Sequence, residues 1–567
     1  MAIWLAAAGT ARVGSAQRPE PLRPCAGEIV SAISSRATQP PELARIGGLE
    51  RWLGRASGLI HRGTEPDVVL GFVRIKPGQR CSEVARTESE RVLRAQPFFA
   101  NARIRVLPQG PDTVTLEVTT EEELRPNVGM RISNGHLTRL RLGTANYGGQ
   151  AIAVTALYRS GEFYRDGFGI RIADYQPFGR PLVLNVEAVR DPLGSTWLAS
   201  IREPQYSERQ ARSWYAGVER RHGYQAFRRT TGRDVSVDFD RTRWLAAAAW
   251  RLGSRTRAVF AGPVAAGERS VDRGGPRLVT DTGVFAYDGV GIAPVNSAYT
   301  TVRAGAIAGV HRVSYVTVNG FDALTGQQDV RSGVEVLALG ARSVRVGGSS
   351  RRDILVGGAL YAGKASERSL VALAAEGETR RPIGRERAWE GTTASARAAW
   401  YVQPRARRVR ILSAEFSGGW DTRLPVQLTL AAREVGLRGF GAASIGGARR
   451  LALRAEERWI APMAPRRWDL GAAVFADAGR LWAGQAPFGE TTGWQASAGV
   501  SLLGATPRGA RHVWRVDIAV PLTSAGQPAN VEVRASIRDA TRFFWRDPAD
   551  VARVREGPLL SRVLGRQ

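Results

Sequence analysis

The chain reads as mainly β: a transmembrane antiparallel β-barrel of about sixteen strands, preceded by one small α/β domain. Three observations predict it. From Arg125 to about Arg546, segments of about ten residues alternate in polarity between clusters of Gly, Pro, Asp and Asn, and no helical period intrudes. Residues 22–124 instead mix helical and two-residue periods. No run of about 18 apolar residues exists to cross a bilayer as a helix; the longest candidates, Ile3–Gly9 and Trp244–Trp250, are far shorter.

Composition excludes several classes. The 567 residues carry 80 Lys+Arg against 52 Asp+Glu, a net charge of +28, and only Lys76 and Lys364 are lysines. The 64 glycines and 15 tryptophans, with 43% hydrophobic residues, suit neither a disordered chain nor a helical membrane protein. The arginines are spread along the chain in short pairs such as Arg220-Arg221, with no basic run of nucleic-acid-binding length and no zinc-finger or RNA-recognition signature, so no nucleic-acid partner is expected. Two cysteines, Cys25 and Cys81, exclude a four-thiolate zinc site and leave a single disulfide open to them in an oxidising compartment.

Taken in chain order, residues 1–16 hold a short apolar stretch (Ala2–Ala8) ending in Gly14-Ser15-Ala16 and lack a basic start. They read as a signal peptide or, failing that, as a ragged terminus. Within 22–124, Gly27–Ile33 is a strand. Thr64-Glu65-Pro66 opens a helix that Lys76-Pro77-Gly78-Gln79 closes. Ser82 caps a second helix over Glu83–Ala95, which Pro97 breaks. Ala102, Ile104 and Val106 then alternate with arginines, and across Pro108–Asp112 the residues Val114, Leu116 and Val118 alternate with Thr113, Thr115 and Glu117, making a hairpin with one buried face. The order strand, helix, helix, strand, strand, with Glu88-x-Glu90-Arg91-x-Leu93-Arg94 followed by Pro97-Phe98-Phe99-Ala100-Asn101-Ala102, resembles a POTRA domain (polypeptide-transport-associated). A three-stranded sheet covered on one side leaves an edge that an unfolded peptide can extend. The other reading is a small α/β domain with no ligand.

In the barrel span, Trp514, Val516, Ile518, Val520 and Leu522 share one face while Arg515 and Asp517 take the other; Val531, Val533, Ala535 and Ile537 likewise oppose Glu532, Arg534, Ser536 and Arg538. An apolar stripe backed by charge needs lipid outside and water inside. Aromatic residues at segment ends (Trp459, Trp468, Trp482, Trp494, Phe543-Phe544-Trp545) fit interfacial girdles. Dividing 125–546 by about 26 residues per strand and connection gives about sixteen strands. A direct count of candidate segments is nearer twenty, the surplus being assigned to loop hairpins, with Ala261–Ala298 the longest extracellular excursion. Residues 547–567 form a tail, either a periplasmic amphipathic stretch (Val551, Val554, Leu559, Leu560, Val563, Leu564) or a frayed end.

After Val426–Arg433 comes Glu434-Val435-Gly436-Leu437-Arg438-Gly439-Phe440-Gly441, then Ser444-Ile445-Gly446-Gly447. Here the chain resembles the BamA/TamA superfamily of outer-membrane assembly factors, also called the bacterial surface antigen family, whose sixth extracellular loop carries a Val/Leu/Ile-Arg-Gly-Phe/Tyr tetrad. The next segments agree: Arg454, Glu456 and Arg458 alternate with Leu453, Ala455 and Trp459, similar to the family's Glu-x-Arg strand, and Phe475-Ala476-Asp477-Ala478-Gly479 resembles its Phe-x-Asp-x-Gly. Alternation turns Glu456, Arg458, Phe475, Asp477 and Gly479 into the lumen. The resemblance implies that the loop at 434–448 folds inward. An arginine there needs a carboxylate, for which Asp477 is the first candidate and Glu456 the second; Gly439 lets the backbone turn tightly. The chain departs from the family in carrying one POTRA-like unit where well-known bacterial members carry several.

The resemblance implies an outer-membrane location, with the POTRA-like unit in the periplasm, and a role in assembling, inserting or translocating proteins. A client strand would add at a short seam between a first strand near Asn127–Ser133 and a last strand near Asn530–Arg538. Implied partners are outer-membrane lipid and unfolded barrel or secreted clients, with periplasmic chaperones or accessory lipoproteins further candidates. No cofactor or metal is needed. Two rivals stand beside this reading: a secretion pore for one dedicated partner, and a passive porin-like channel. Catalysis is not expected, because His61, His136, His222, His311 and His512 are scattered and no nucleophile elbow, phosphate loop or zinc-protease motif occurs.

Overall fold

The computed structural model describes residues 23–38, 63–123, 129–133, 136–160, 166–208, 210–254, 257–272, 275–280, 282–289, 298–346, 348–384, 389–431, 435–441, 443–462, 468–524, 531–539, 549–552 and 555. The signal-peptide reading of 1–16 and the aromatic triplet at 543–545 lie outside them, as does most of the tail.

The N-terminal domain runs β1 (Ala26–Thr38), α1 (Pro66–Gly71), β2 (Arg80–Ser82), α2 (Glu83–Arg94), β3 (Phe99–Pro108) and β4 (Thr113–Glu122). Among the described residues its sheet has four strands in the order β2-β1-β4-β3, one more than the periodicity showed, because three residues are too few to display alternation. β1 lies parallel to β4 along Ile29–Thr38. Alternate residues of the β3–β4 hairpin (Ile104, Val106, Val114, Leu116, Val118) are buried against Val69 and Phe72 of the α1 region and Leu93 of α2. Ser82 precedes α2 in an extended conformation but makes no side-chain capping bond. The Arg86 guanidinium, hydrogen-bonded to Glu83, holds that carboxyl below its usual range.

Cys25 and Cys81 are joined, 5.2 Å apart at Cα and 56 residues apart in sequence, tying the start of β1 to the strand before α2. Closing a loop of that length restricts the unfolded chain, so the Cys25→Ser, Cys81→Ser protein is expected to lose about 2–5 kcal/mol in this domain. Urea unfolding of the domain, followed with and without reductant, measures it; an unshifted midpoint would count against the bond.

Among the described residues twenty strands close the barrel. They are β5 (Gly129–Ser133), β6 (His136–Tyr147), β7 (Ile152–Arg159), β8 (Gly167–Asp174), β9 (Val183–Asp191), β10 (Gly194–Glu203), β11 (Arg212–Phe227), β12 (Val235–Gly253) and β13 (Ala258–Asp272). An extension hairpin of β14 (Arg277–Val279) and β15 (Val284–Ala286) follows. The ring resumes with β16 (Tyr299–Asn319), β17 (Gln327–Ser343), β18 (Asp353–Ser366), β19 (Ser369–Pro382), β20 (Glu390–Arg405) and β21 (Arg408–Trp420). Two short strands, β22 (Leu428–Thr429) and β23 (Gly446–Gly447), pair only with each other. The ring ends with β24 (Arg449–Ile460), β25 (Asp469–Trp482), β26 (Gln495–Ala505), β27 (His512–Pro521) and β28 (Glu532–Asp539). The expected figure of about sixteen is therefore low. It assumed longer connections than the chain uses, since only residues 192–193, 367–368 and 406–407 separate three of the strand pairs.

The outer face is apolar: Phe168, Ile170, Val371, Leu373, Leu502 and Ile518 are exposed, while their neighbours along each strand point inward. Trp197, Trp244, Trp250, Trp400 and Trp459 join that exterior. Only lipid can cover such a surface. The lumen holds buried Arg303, Asp353, Glu376, Arg450, Arg515 and Asp517.

The N-terminal domain docks on one rim through α2. Glu88 accepts from the Ser207 hydroxyl at 2.8 Å, Arg91 donates to the Tyr206 carbonyl at 2.9 Å, and Arg94 forks onto Asp329 with both contacts at 2.9 Å. Glu123 accepts from the backbone of Arg511 and His512, and the Thr64 hydroxyl accepts from Asn146. These partners sit in or beside the β6–β7, β10–β11, β16–β17 and β26–β27 turns, which places all four turns at the same end of the barrel.

Candidate functional site

Between β21 and β24 the chain leaves the wall and enters the lumen. The β22–β23 ladder closes the base of this loop, and Leu437 donates its amide to the Leu430 carbonyl at 2.9 Å. Leu430, Leu437, Phe440 and Ala443 are fully buried against Ala452 of β24 and Leu481 of β25. Burying those apolar groups pulls the loop inward; the polar groups fix where it stops.

Arg438 is the stop. Its Nε and Nη2 donate to the two Asp477 oxygens at 2.8 and 2.6 Å, and its backbone amide donates to Asp477 Oδ2 at 3.1 Å. Nη1 reaches Glu456 at 2.6 Å, and the guanidinium carbon lies 3.5 Å from the Phe475 ring centre. The structure thus brings Leu437, Arg438, Gly439 and Phe440 together with Glu456, Phe475, Asp477 and Gly479. Phe475, Asp477 and Gly479 occupy successive inward positions of one strand and do three different things. Phe475 stacks on the cation, Asp477 chelates it, and Gly479 clears space: a Cβ there would lie 2.8 Å from the Leu451 carbonyl oxygen and 3.1 Å from a Leu437 methyl.

Gly439 has φ +85°, which a side chain strains, and its amide donates to Glu532 at 2.8 Å. Gly441 donates to the same carboxylate at 3.1 Å. Glu434, at the loop's entry, lies outside the described residues.

The wall extends the charge network. Glu456 also accepts from Arg515 at 2.8 Å through both terminal nitrogens and from Arg458, which in turn donates to the Phe321 carbonyl at 2.9 Å. Arg515 pairs with Asp517. Three guanidiniums (Arg438, Arg458, Arg515) therefore face three carboxylates (Glu456, Asp477, Asp517), so burial is compensated within the cluster. Arg515, Asp517 and Glu532 had been placed on the inward face by alternation but not assigned to the site. Their only sequence signal was parity, which gives a facing and not a partner.

The last strand is thereby tied to the loop through Glu532, and that strand is one side of the barrel's weakest joint. Among the described residues β28 meets β5 in two registered pairs, Arg534 with Ser133 and Ala535 with Ile132. On its other side β28 pairs with β27 in an unbroken register from His512–Asp539 to Ala519–Glu532.

The closed ring, its apolar exterior and the clamped loop define a lipid-facing β-barrel braced from inside. No family model and no curated protein matches the chain. Among solved structures it is similar to BamA from Haemophilus ducreyi lacking POTRA domains 1–3, at 12% identity and a TM-score of 0.40 over 90% of this chain and 85% of that one. It is also similar to CdiB from Escherichia coli, at 11% identity and 0.46 over 90% and 76%, and to CdiB from Acinetobacter baumannii, at 11% and 0.41 over 90% and 73%.

Proposed function

We propose that the chain is an outer-membrane barrel of the BamA/TamA type that inserts or translocates other polypeptides, its client strands pairing at the β5–β28 seam. The observation that carries this is the seam itself: among the described residues β5 and β28 meet in two registered pairs, fewer than at the other joints of the ring. A client β-strand entering lipid must satisfy its backbone groups at once, and an edge released there supplies partners that lipid cannot. The loop holds the last strand by the two glycine amides on Glu532, so β28 keeps its place when its partner strand lets go.

The N-terminal domain serves as a POTRA unit in the periplasm. β1 pairs with β2 at Ala26 and Ile29, and Val30 exchanges backbone bonds with Gly78 and Gln79 just before β2, so among the described residues the stretch Ser31–Thr38 has β4 on one side and no strand on the other. That edge suits strand addition by an unfolded client. Accessory lipoproteins or chaperones would act at the same rim. The mechanism consumes no cofactor, and no catalytic step is part of it.

Depleting the protein and taking a census of outer-membrane and secreted proteins tests the proposal. Loss of many barrel proteins is the expected result. Loss of one secreted protein alone would shift the reading to a dedicated secretion pore, and an unchanged census with altered small-solute uptake would shift it to a passive channel.

A further inference from the structure

The periplasmic reading of the tail's amphipathic pattern would place it beneath the barrel. Its described part, α3 (Ala549–Ala552) and Arg555, sits inside the lumen. Asp550 receives Arg450 of β24 at 2.7 Å, and Arg450 also donates to the Thr429 carbonyl of the inward loop at 2.9 Å. Val551 is buried in a cluster with Leu424, Val426 and Leu428 of that loop.

Arg555 is 2% exposed and is held from two sectors of the wall. Its guanidinium reaches the Glu376 carboxylate of β19 at 3.3 Å and the Ser395 hydroxyl of β20 at 2.8 Å. Its carbonyl oxygen accepts from Arg241 and Arg243 of β12 at 2.8 and 3.1 Å. In the ring β12 and β19 are separated by β13, β16, β17 and β18, so this one residue ties together strands well apart on the circumference. The described residues of the tail therefore reach from β24, at Asp550, to β12 and β19, at Arg555. A strand-terminal remnant that only needed to leave the wall would not place an aspartate and a buried arginine against opposite charges on β24 and β19 and a backbone carbonyl against two arginines of β12.

We infer that Arg450, Arg241, Arg243, Glu376 and Ser395 form a polypeptide-binding track in the lumen, that Ala549–Ala552 and Arg555 are its resident occupants, and that a transiting chain takes over these contacts. The track's chemistry names what it accepts: an extended or single-turn segment with a carboxylate toward one end, a guanidinium toward the other and a backbone carbonyl between the wall arginines. It reads the spacing of two charges and a main-chain carbonyl rather than a shape. The inference about transiting chains rests on the proposed translocation role; the occupancy of the lumen does not.

Planar-bilayer conductance separates the two. The protein ending at Arg546 is expected to conduct severalfold more than the full chain, and a synthetic peptide of residues 547–558 is expected to restore the low level, while the same peptide carrying Asp550→Arg does not. In the full chain, Asp550→Arg and Arg450→Asp should each raise conductance, and the two together should return it toward the starting value. Equal conductance with and without the tail overturns the inference, as does a rise that the peptide fails to reverse or a double variant as leaky as either single one. Because these readings need no client, they stand or fall independently of the census that tests the assembly role.

Discussion

The Arg438→Ala protein is expected to be destabilised by about 3–5 kcal/mol, the scale for removing one partner of a buried ion pair. The reason lies in what the alanine leaves behind. Asp477 has no exposed side-chain surface and loses its fork, while Glu456 keeps only its wall arginines. The loop's apolar base (Leu437, Phe440) would still favour the lumen, so the barrel should insert yet unfold at lower urea in vesicles, followed by tryptophan fluorescence. Arg438→Lys should recover only part of the loss, since an ammonium cannot grip both Asp477 oxygens and reach Glu456 as the guanidinium does. A midpoint within error of the parent would mean that the loop is held by its hydrophobic contacts alone. Client assembly should fall with stability if the loop steadies the last strand through Glu532.

The second large effect concerns the seam. Ile132 and Ala535 are register partners across β5 and β28, so the Ile132→Cys, Ala535→Cys protein should cross-link under oxidising conditions. If client strands enter there, the locked barrel will sit in the membrane, folded and heat-modifiable, with client assembly reduced to that of depleted cells, and reductant will restore it. Full activity of the cross-linked protein would remove the seam from the mechanism. A control pair across β16 and β17, a joint registered from Arg303–Ser343 to Asn319–Gln327, should cross-link without consequence.

Period-two reading found the wall because a barrel strand has only two facings and the side chains announce which is which. Glu456, Arg458, Phe475, Asp477 and Gly479 were legible for that reason, and Arg438 because a lone cation in an inward loop demands a carboxylate. Glu532 was legible only as an inward-facing residue: its contacts with the loop are to the amides of Gly439 and Gly441, and a backbone donor leaves no mark in the sequence. Strand number was misjudged because an average of about 26 residues per strand and connection overruled the direct count of nearly twenty segments, whose surplus was assigned to loops. The Glu88, Arg91 and Arg94 pattern was read as a helix motif, and its use as the docking face could not be seen, because Tyr206 and Ser207 lie in a distant turn and Asp329 at the start of β17, all far off in sequence. For the tail, amphipathicity said that something covers it but not on which side of the wall.

Circumference sets a further demand. Barrel diameter grows with strand number, and at about eight strands facing side chains already fill the interior. With twenty strands the walls stand too far apart for their own residues to meet, so the hoop would be free to flatten into an ellipse. Spokes prevent that. The loop from β21 to β24 reaches Asp353 on β18 through Arg423 and Asp477 on β25 through Arg438, and the tail runs a second line from β12 to β19. A lineage that gained or lost a hairpin would change the hub-to-rim distance, and both spokes would have to be recut to match.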